Sequence, residues 1–201
     1  MIDSLARPGG NITGFTTIGS VLAGKRLELL KETVPKLSRV AALWNPQILS
    51  EVQSWKESQM PARGLGLQLH SLEVSSADKY EAAFREAKKA RVGALVWMSS
   101  PLGDLNQNHT VELAKKYRLP AIYSRQSVVE NGGLMSYGAD RAEPFRRSAV
   151  FVDKILKGTN PSDIPVEQPT KFELAINLKT AKTLDLGIPP IVLMRATKVV
   201  K

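Results

Sequence analysis

Three short apolar runs punctuate the middle of the chain: VAALWN (Val40 to Asn45), ALVWMS (Ala94 to Ser99) and PAIYS (Pro120 to Ser124). A weaker one, LQLHSLEV (Leu67 to Val74), falls between the first two. Between these runs the apolar residues recur at helical spacing. Leu27, Leu30 and Val34 share one side before the first run, Val52 and Trp55 follow it, and Tyr80, Phe84 and Ala87 line one face of DKYEAAFREAKKA. Short continuous apolar runs fit strands buried on both faces, and the segments between them have the period of amphipathic helices. The rhythm from Lys25 to Ser124 is therefore α, β, α, β, α, β, α, β, which predicts an α/β fold with a doubly wound parallel sheet and right-handed crossovers. Pro35 should end the first helix, and Pro61 with two glycines should fray the second. SPLGDLNQN, after the third strong position, reads as a polar loop.

After Ser124 the pattern changes. QSVVENGGLMSYGA holds a Gly132-Gly133 turn and a short strand around Leu134 to Tyr137. Asp140 and Glu143 then stand at capping-box spacing for the helix RAEPFRRSAVFVDKILKG, whose apolar face is Phe145, Ala149, Val152 and Leu156 and which Gly158 should stop. Prolines 161, 165 and 169 lead into the alternating strand KFELAIN, Asn177 can cap LKTAKTL, and VLMRATKVV is a last short apolar piece. At the other end, SLARPGGNITGF turns at Pro8-Gly9-Gly10, and NITGFTT is either a short strand or a connection between lobes.

Parallel sheets bind ligands beyond the carboxyl ends of their strands. The side chains there are Asn45, Ser99, Ser100, Pro101, Ser124 and Gln126, with Trp97, Tyr123 and Tyr137 close by. Amides and hydroxyls can orient a small ligand and rings can cover it, but the set contains no evident nucleophile or base. Trp97, inside a strand, reads first as a core residue. Asp140 has two readings: the cap of the helix that follows, or a carboxylate meeting a cationic group such as the ammonium of an amino acid.

Composition narrows the chemistry. The 201 residues include no cysteine, so thiol nucleophiles and thiolate metal sites are excluded, and His70 and His109 have no metal-ligand spacing. The formal charge of +9 is spread over isolated basic residues and pairs such as Lys88/Lys89 and Arg146/Arg147, without the aromatic interleaving of a nucleic-acid surface. GxGxxG, P-loop and GxSxG patterns are absent, and Asp104, Asp140, Asp153 and Asp163 make no metal spacing. The expectation is a binder with no catalytic residue, no metal and no cofactor. Met1 leads at once into Ile-Asp-Ser without a basic and then apolar segment, so the chain as given is expected either in the cytoplasm or as part of a longer chain.

Long stretches of this sequence resemble a known family. SLARPGGNITG at 4 to 14, GKRLELLKETVPKLSRVAALWNP at 24 to 46, LPAIY at 119 to 123, GGLMSYGAD at 132 to 140 and the run from Val152 to Pro190 are similar to ABC-transporter substrate-binding proteins with a type I periplasmic binding fold. Members include proteins for uptake of tryptophan and other aromatic or branched amino acids. The resemblance covers the whole chain but about the last three-fifths of a family member, so the first lobe should be largely missing. It implies that residues 1–19 are a first inter-lobe crossing and 20–130 the α/β core of the second lobe. Residues 131–165 would be a remnant of the first lobe, with helix 141–157, and 166–201 a return crossing that completes the second. It further implies a small-molecule ligand, an ABC permease and ATPase as partners, and a periplasmic location for the intact protein. No nucleic acid and no membrane insertion are expected. In such amino-acid binders the first lobe usually holds the carboxylate, while the second supplies an acid and aromatic cover; Asp140 and Tyr123 match those roles, and Asn45, Ser99, Pro101 and Tyr137 would line the wall. A ligand-sensing regulatory domain of the same fold is the alternative. Helix 141–157 should expose an apolar face for want of the sheet it covers, or drive a non-native dimer.

Overall fold

The computed structural model describes residues 2–19, 21–98 and 101–201, with Pro101 and Leu102 described by their backbone. Its elements are α1 (Ala23–Thr33), β1 (Arg39–Trp44), α2 (Leu49–Gly64), β2 (Gln68–Glu73), α3 (Tyr80–Lys89), β3 (Ala94–Trp97), α4 (Pro101–Leu105), α5 (Gln107–Lys116) and β4 (Ala121–Tyr123). They continue as α6 (Gln126–Glu130), β5 (Met135–Ala139), α7 (Ala142–Leu156), β6 (Phe172–Asn177), α8 (Leu178–Thr183), α9 (Pro190–Met194) and β7 (Lys198–Val200). The strands form one sheet in the order β2-β1-β3-β4-β5-β6-β7. The β1–β2, β1–β3, β3–β4, β4–β5 and β6–β7 pairings are parallel. The α/β rhythm read from the sequence is thus the observed one.

Alternation along the strands divides the core in two. Val40, Ala42, Trp44, Val96 and Ile122 pack with Leu27 and Leu30 of α1, Ala62 of α2, Ala181 of α8 and Val192 of α9. Their neighbours Ala41, Leu43, Leu95, Trp97, Ala121 and Tyr123 point the other way, onto Phe84 and Ala87 of α3, Val111 and Ala114 of α5 and Val128 of α6. Both faces are covered, which is why the strands read as continuous apolar runs rather than alternating ones.

The chain forms two compact units: residues 19–138 with 173–201, and residues 1–18 with 139–172. Strand β5 is hydrogen-bonded to β4, with Tyr123 opposite Ser136, and this keeps residues 131–138 with the larger unit. In the smaller unit Phe15 pairs with Glu167 in an isolated bridge. Thr13 Oγ1 donates to the Ile164 carbonyl at 2.7 Å, and the Phe15 and Phe151 rings lie 4.8 Å apart. NITGFTT is therefore a connection with one bridge rather than a strand. Of α7, Phe151 alone is buried; Phe145 is 77 % and Leu156 81 % exposed, and Val152 is also open. The apolar stripe of this helix is uncovered, as the family resemblance implied.

Three local readings need correction. SPLGDLNQN is not simply a loop: it contains the one-turn helix α4, where Pro101 stands in the first turn and gives up no intrahelical donor. The end of α2, read as frayed by Pro61 and two glycines, stays helical to Gly64. The Pro61 ring lies against Gly24 of α1, where a Cβ would come within 2.9 Å of the Pro61 Cγ, so packing between the two helices holds the last turn in place. The capping box at α7 is not made, because the helix starts one residue later, with Arg141 at its N-cap and no side-chain cap there. Asp140 Oδ1 accepts from the Ala142 amide at 2.8 Å, but Glu143 lies 3.5 Å from Lys171 and the Asp140 amide donates to the Lys171 carbonyl.

Candidate functional site

The order of the sheet reverses at β1: the chain goes out to β2 and returns on the other side to β3. In open parallel sheets the crevice at such a switch point, beyond the carboxyl ends of the two strands, is the ligand position. Asn45 follows β1, and Ser99 to Pro101 follow β3. Of the described residues, Asn45 and Pro101 therefore stand in the chain just after the strands that flank the switch point.

Each of those residues can be placed. Asn45 is 6 % exposed and its side chain is engaged, since Oδ1 accepts from the Gln47 amide at 2.9 Å. Its own amide donates to Glu51 Oε2 at 2.8 Å, which anchors the turn between β1 and α2 on a buried carboxylate. Ser99 lies outside the described residues, and Pro101 opens α4. Tyr123 ends β4 and is 3 % exposed; its ring is packed into the core beside Trp97, centroids 5.6 Å apart, and burial raises its hydroxyl far above the ordinary phenol range. Tyr137 on β5 is half-buried, and its carbonyl accepts from Arg26 Nε at 2.8 Å. Asp140 belongs to the smaller unit; besides bonding the Ala142 amide, its Oδ2 stands 3.7 Å from Arg146 Nη2. Asn45, Tyr123 and Tyr137 thus share the larger unit, while Asp140, in the smaller one, accepts from the first residue of α7.

Three charged groups that the sequence analysis gave no role prove to be built into this edge. Asp104 of α4 and Arg125, which follows β4, form an ion pair, each about two-thirds buried. The signal for it was available: opposite charges stand just past the ends of two adjacent strands. Arg26 of α1 is buried and donates to the carbonyls of Tyr137 and of Gly19, the latter at 3.1 Å; burial pushes its guanidinium down to about 10. A basic residue in an amphipathic helix carries no sequence mark of burial, so Arg26 could be found only from the fold.

A small cavity of about 10 Å³ lies among these groups, lined by Trp97, Gly103, Asp104, Gln107, Tyr123 and Arg125 with their neighbours. The larger depression of the unit, an open groove of about 350 Å³, is lined by α8, the turn after it and α9, and takes no residue from the loops after β1, β3 or β4. Depth of burial and convergence of polar groups favour the smaller one as chemistry. No group of three or more potential metal ligands occurs among the described residues, and His70 is engaged with Glu86 at 2.9 Å. No described helix is long and apolar enough to cross a membrane.

Comparison with known proteins gives this edge a context. A tyrosine-binding protein of Clostridioides difficile (strain R20291) is 26 % identical over 199 residues, covering 92 % of this chain and 53 % of that protein. A Streptococcus pneumoniae ABC domain solved in complex with L-Trp superposes with a TM-score of 0.88 at 25 % identity, over 99 % of this chain and 66 % of that one. A conserved domain protein of Vibrio cholerae shares the fold with a TM-score of 0.89 at 24 % identity, over 98 % and 66 % of the two chains. The chain thus spans about half the length of the curated relative and somewhat under two-thirds of the solved ones. The family model for ABC transporter substrate binding proteins matches residues 1–200. With the sheet of a type I periplasmic binding fold and a family match along nearly its whole length, the chain belongs to the ABC transporter substrate-binding proteins.

Proposed function

We propose that this chain is the solute-recognising part of an ABC importer component and that its solute is an amino acid with an aromatic or branched side chain. The observation that carries the reading is the family match over residues 1–200, joined to a sheet whose switch point gathers small polar and aromatic side chains. The relatives that bind tyrosine and tryptophan support the choice of solute class. Asn45, Ser99, Pro101, Tyr123 and Tyr137 are the wall residues of this proposal, and Asp140 supplies the acid for the solute ammonium. The working partners are a membrane permease and its ATPase, and the site of action is outside the cytoplasmic membrane. No bond is made or broken on the chain; solute binding selects the conformation that the permease accepts.

Titration calorimetry with a panel of aromatic and branched amino acids tests this. It is run on the 201-residue chain and on a chimera that adds the part of the pneumococcal relative that this chain does not span. Saturable binding of one class by either form is the expected result. If both are folded and neither takes up any member of the panel, the amino-acid assignment is wrong.

A further inference from the structure

The chain passes between its two compact units at residues 18/19, 138/139 and 172/173. The first two passages leave the larger unit at carbonyls held by one side chain. Arg26 of α1 is 5 % exposed; its Nε donates to the Tyr137 carbonyl at 2.8 Å and its Nη1 to the Gly19 carbonyl at 3.1 Å. Gly19 is the first residue of the larger unit, and Tyr137 stands one residue before the end of its first stretch. The second passage is fixed from another side as well. Gly138 lies so close to Ser124 that a Cβ would stand 2.1 Å from the Ser124 carbonyl oxygen. Just beyond it, in the smaller unit, the Asp140 amide donates to the Lys171 carbonyl at 3.0 Å, which ties the second passage to the third.

We infer that Arg26 is the positioning residue of a hinge: it pins the ends of the first two passages to the larger unit, so that turning is confined to the few residues beyond Gly19 and Gly138. The inference deepens the solute-binding reading above and rests on it for the purpose that the turning serves. The physical argument starts from cost. A guanidinium taken out of water is expensive, and burial pushes that of Arg26 down to about 10. An apolar side chain of similar length would fill the same place in an amphipathic helix without that expense. What arginine alone supplies is a planar fork of donors in fixed directions, able to hold two main-chain carbonyls from distant parts of the chain at once. A hinge needs its change of backbone angle confined to a few residues while the chain on either side holds still. One rigid group bonded to both passages meets that need, and loss of either bond frees one passage from the other.

Paired spin labels on the 201-residue chain test this without any solute. The sequence holds no cysteine, so Lys56→Cys on α2 and Lys154→Cys on α7, both exposed and one in each unit, supply the two thiols to be labelled. Pulsed dipolar spectroscopy then reads the distribution of distances between the labels. Arg26→Lys keeps the charge and can serve one carbonyl at a time; losing the other bond should raise the population outside the parent's main distance peak by roughly 10- to 150-fold. Arg26→Gln, which also keeps a single donor group, should do the same. Leu95→Ala opens a cavity in the core on the other face of the sheet and controls for a general loss of stability; its distribution should match the parent's. Parent-like distributions in both Arg26 variants, or equal broadening in Leu95→Ala, overturn the inference. So does failure of both Arg26 variants to fold, since Arg26 would then hold the core and not the passages. The two readings fail separately. Broadening in the Arg26 variants with no amino-acid uptake by any form of the chain removes the solute assignment alone, whereas uptake with unchanged distributions removes the hinge role alone.

Discussion

Asp140 is where capping and recognition can be separated by experiment. Replacing it with alanine removes the acceptor for the Ala142 amide, a 2.8 Å bond made by a side chain that is 17 % exposed. Loss of such a helix-start acceptor costs about 1 kcal/mol. The pairing with Arg146 adds little, since its distance is 3.7 Å and Arg146 is 69 % exposed. Asparagine keeps an acceptor oxygen at the same place and discards the charge, so Asp140→Asn should stay within about 0.5 kcal/mol of the parent. Urea unfolding followed by circular dichroism at the helical band gives both values. Solute affinity should respond in a different order. If the carboxylate meets an ammonium, removing its charge forfeits a charge-assisted bond worth about 1.5–3 kcal/mol, or roughly 10- to 150-fold in affinity. Asp140→Asn would then fold like the parent and bind far more weakly. Unchanged affinity in Asp140→Asn, in a form of the chain that binds solute, would falsify the recognition role and leave Asp140 as a helix cap only. Destabilisation equal to that of alanine would instead show that charge, not the acceptor oxygen, holds the start of α7.

Three further outcomes follow from the larger unit. Gly138→Ala would bring a Cβ within 2.1 Å of the Ser124 carbonyl oxygen, a backbone atom that cannot swing aside, so a loss of about 1–3 kcal/mol is expected in urea unfolding, and a change below about 0.5 kcal/mol would contradict it. Arg26→Met strips the donors from the Gly19 and Tyr137 carbonyls and should cost about 2–4 kcal/mol, with no rescue by lysine, whose single ammonium cannot span both; a variant as stable as the parent would mean that desolvation of the guanidinium cancels its bonds. Burial, with Glu51 second, pushes the Tyr80 hydroxyl up to about 12, and burial raises Tyr123 further, so the unfolded chain ionises these phenols first as the pH rises. Their contribution is complete below about pH 10 and is lost as the pH rises toward the folded values. Urea midpoints at about pH 9 and about pH 11 should therefore fall in that order, and equal midpoints would remove the effect.

What the sequence by itself determined was the part of the molecule whose information is periodic and local. Continuous apolar runs buried on both faces, helical spacing between them, and an amide that caps the next helix, as Asn177 does by accepting from the Thr180 amide, depend on neighbours within a few residues, and they appear where the pattern put them. The apolar stripe of α7 was legible for the same reason, since Phe145 and Val152 repeat at helical spacing whether or not anything lies against them; that it would be uncovered came from the family resemblance. The tertiary structure decided whatever depends on residues distant in the chain. Pro61 frays a helix end by local rules, yet the last turn of α2 holds because Gly24, 37 residues earlier, leaves room for its ring. Glu143 has the spacing to complete a capping box, but Lys171 takes it and Asp140's amide finds the carbonyl of that same lysine. At the candidate site the rule of strand ends named one edge of the sheet, yet it could not tell that Asn45 spends its oxygen on Gln47, that Tyr123 turns inward beside Trp97, or that Asp104 meets Arg125. Burial and pairing are properties of the packed sheet: parallel strands bring the ends of β1, β3 and β4 to one edge from positions as far apart as 45 and 125, and no local pattern records which of those side chains will find each other there.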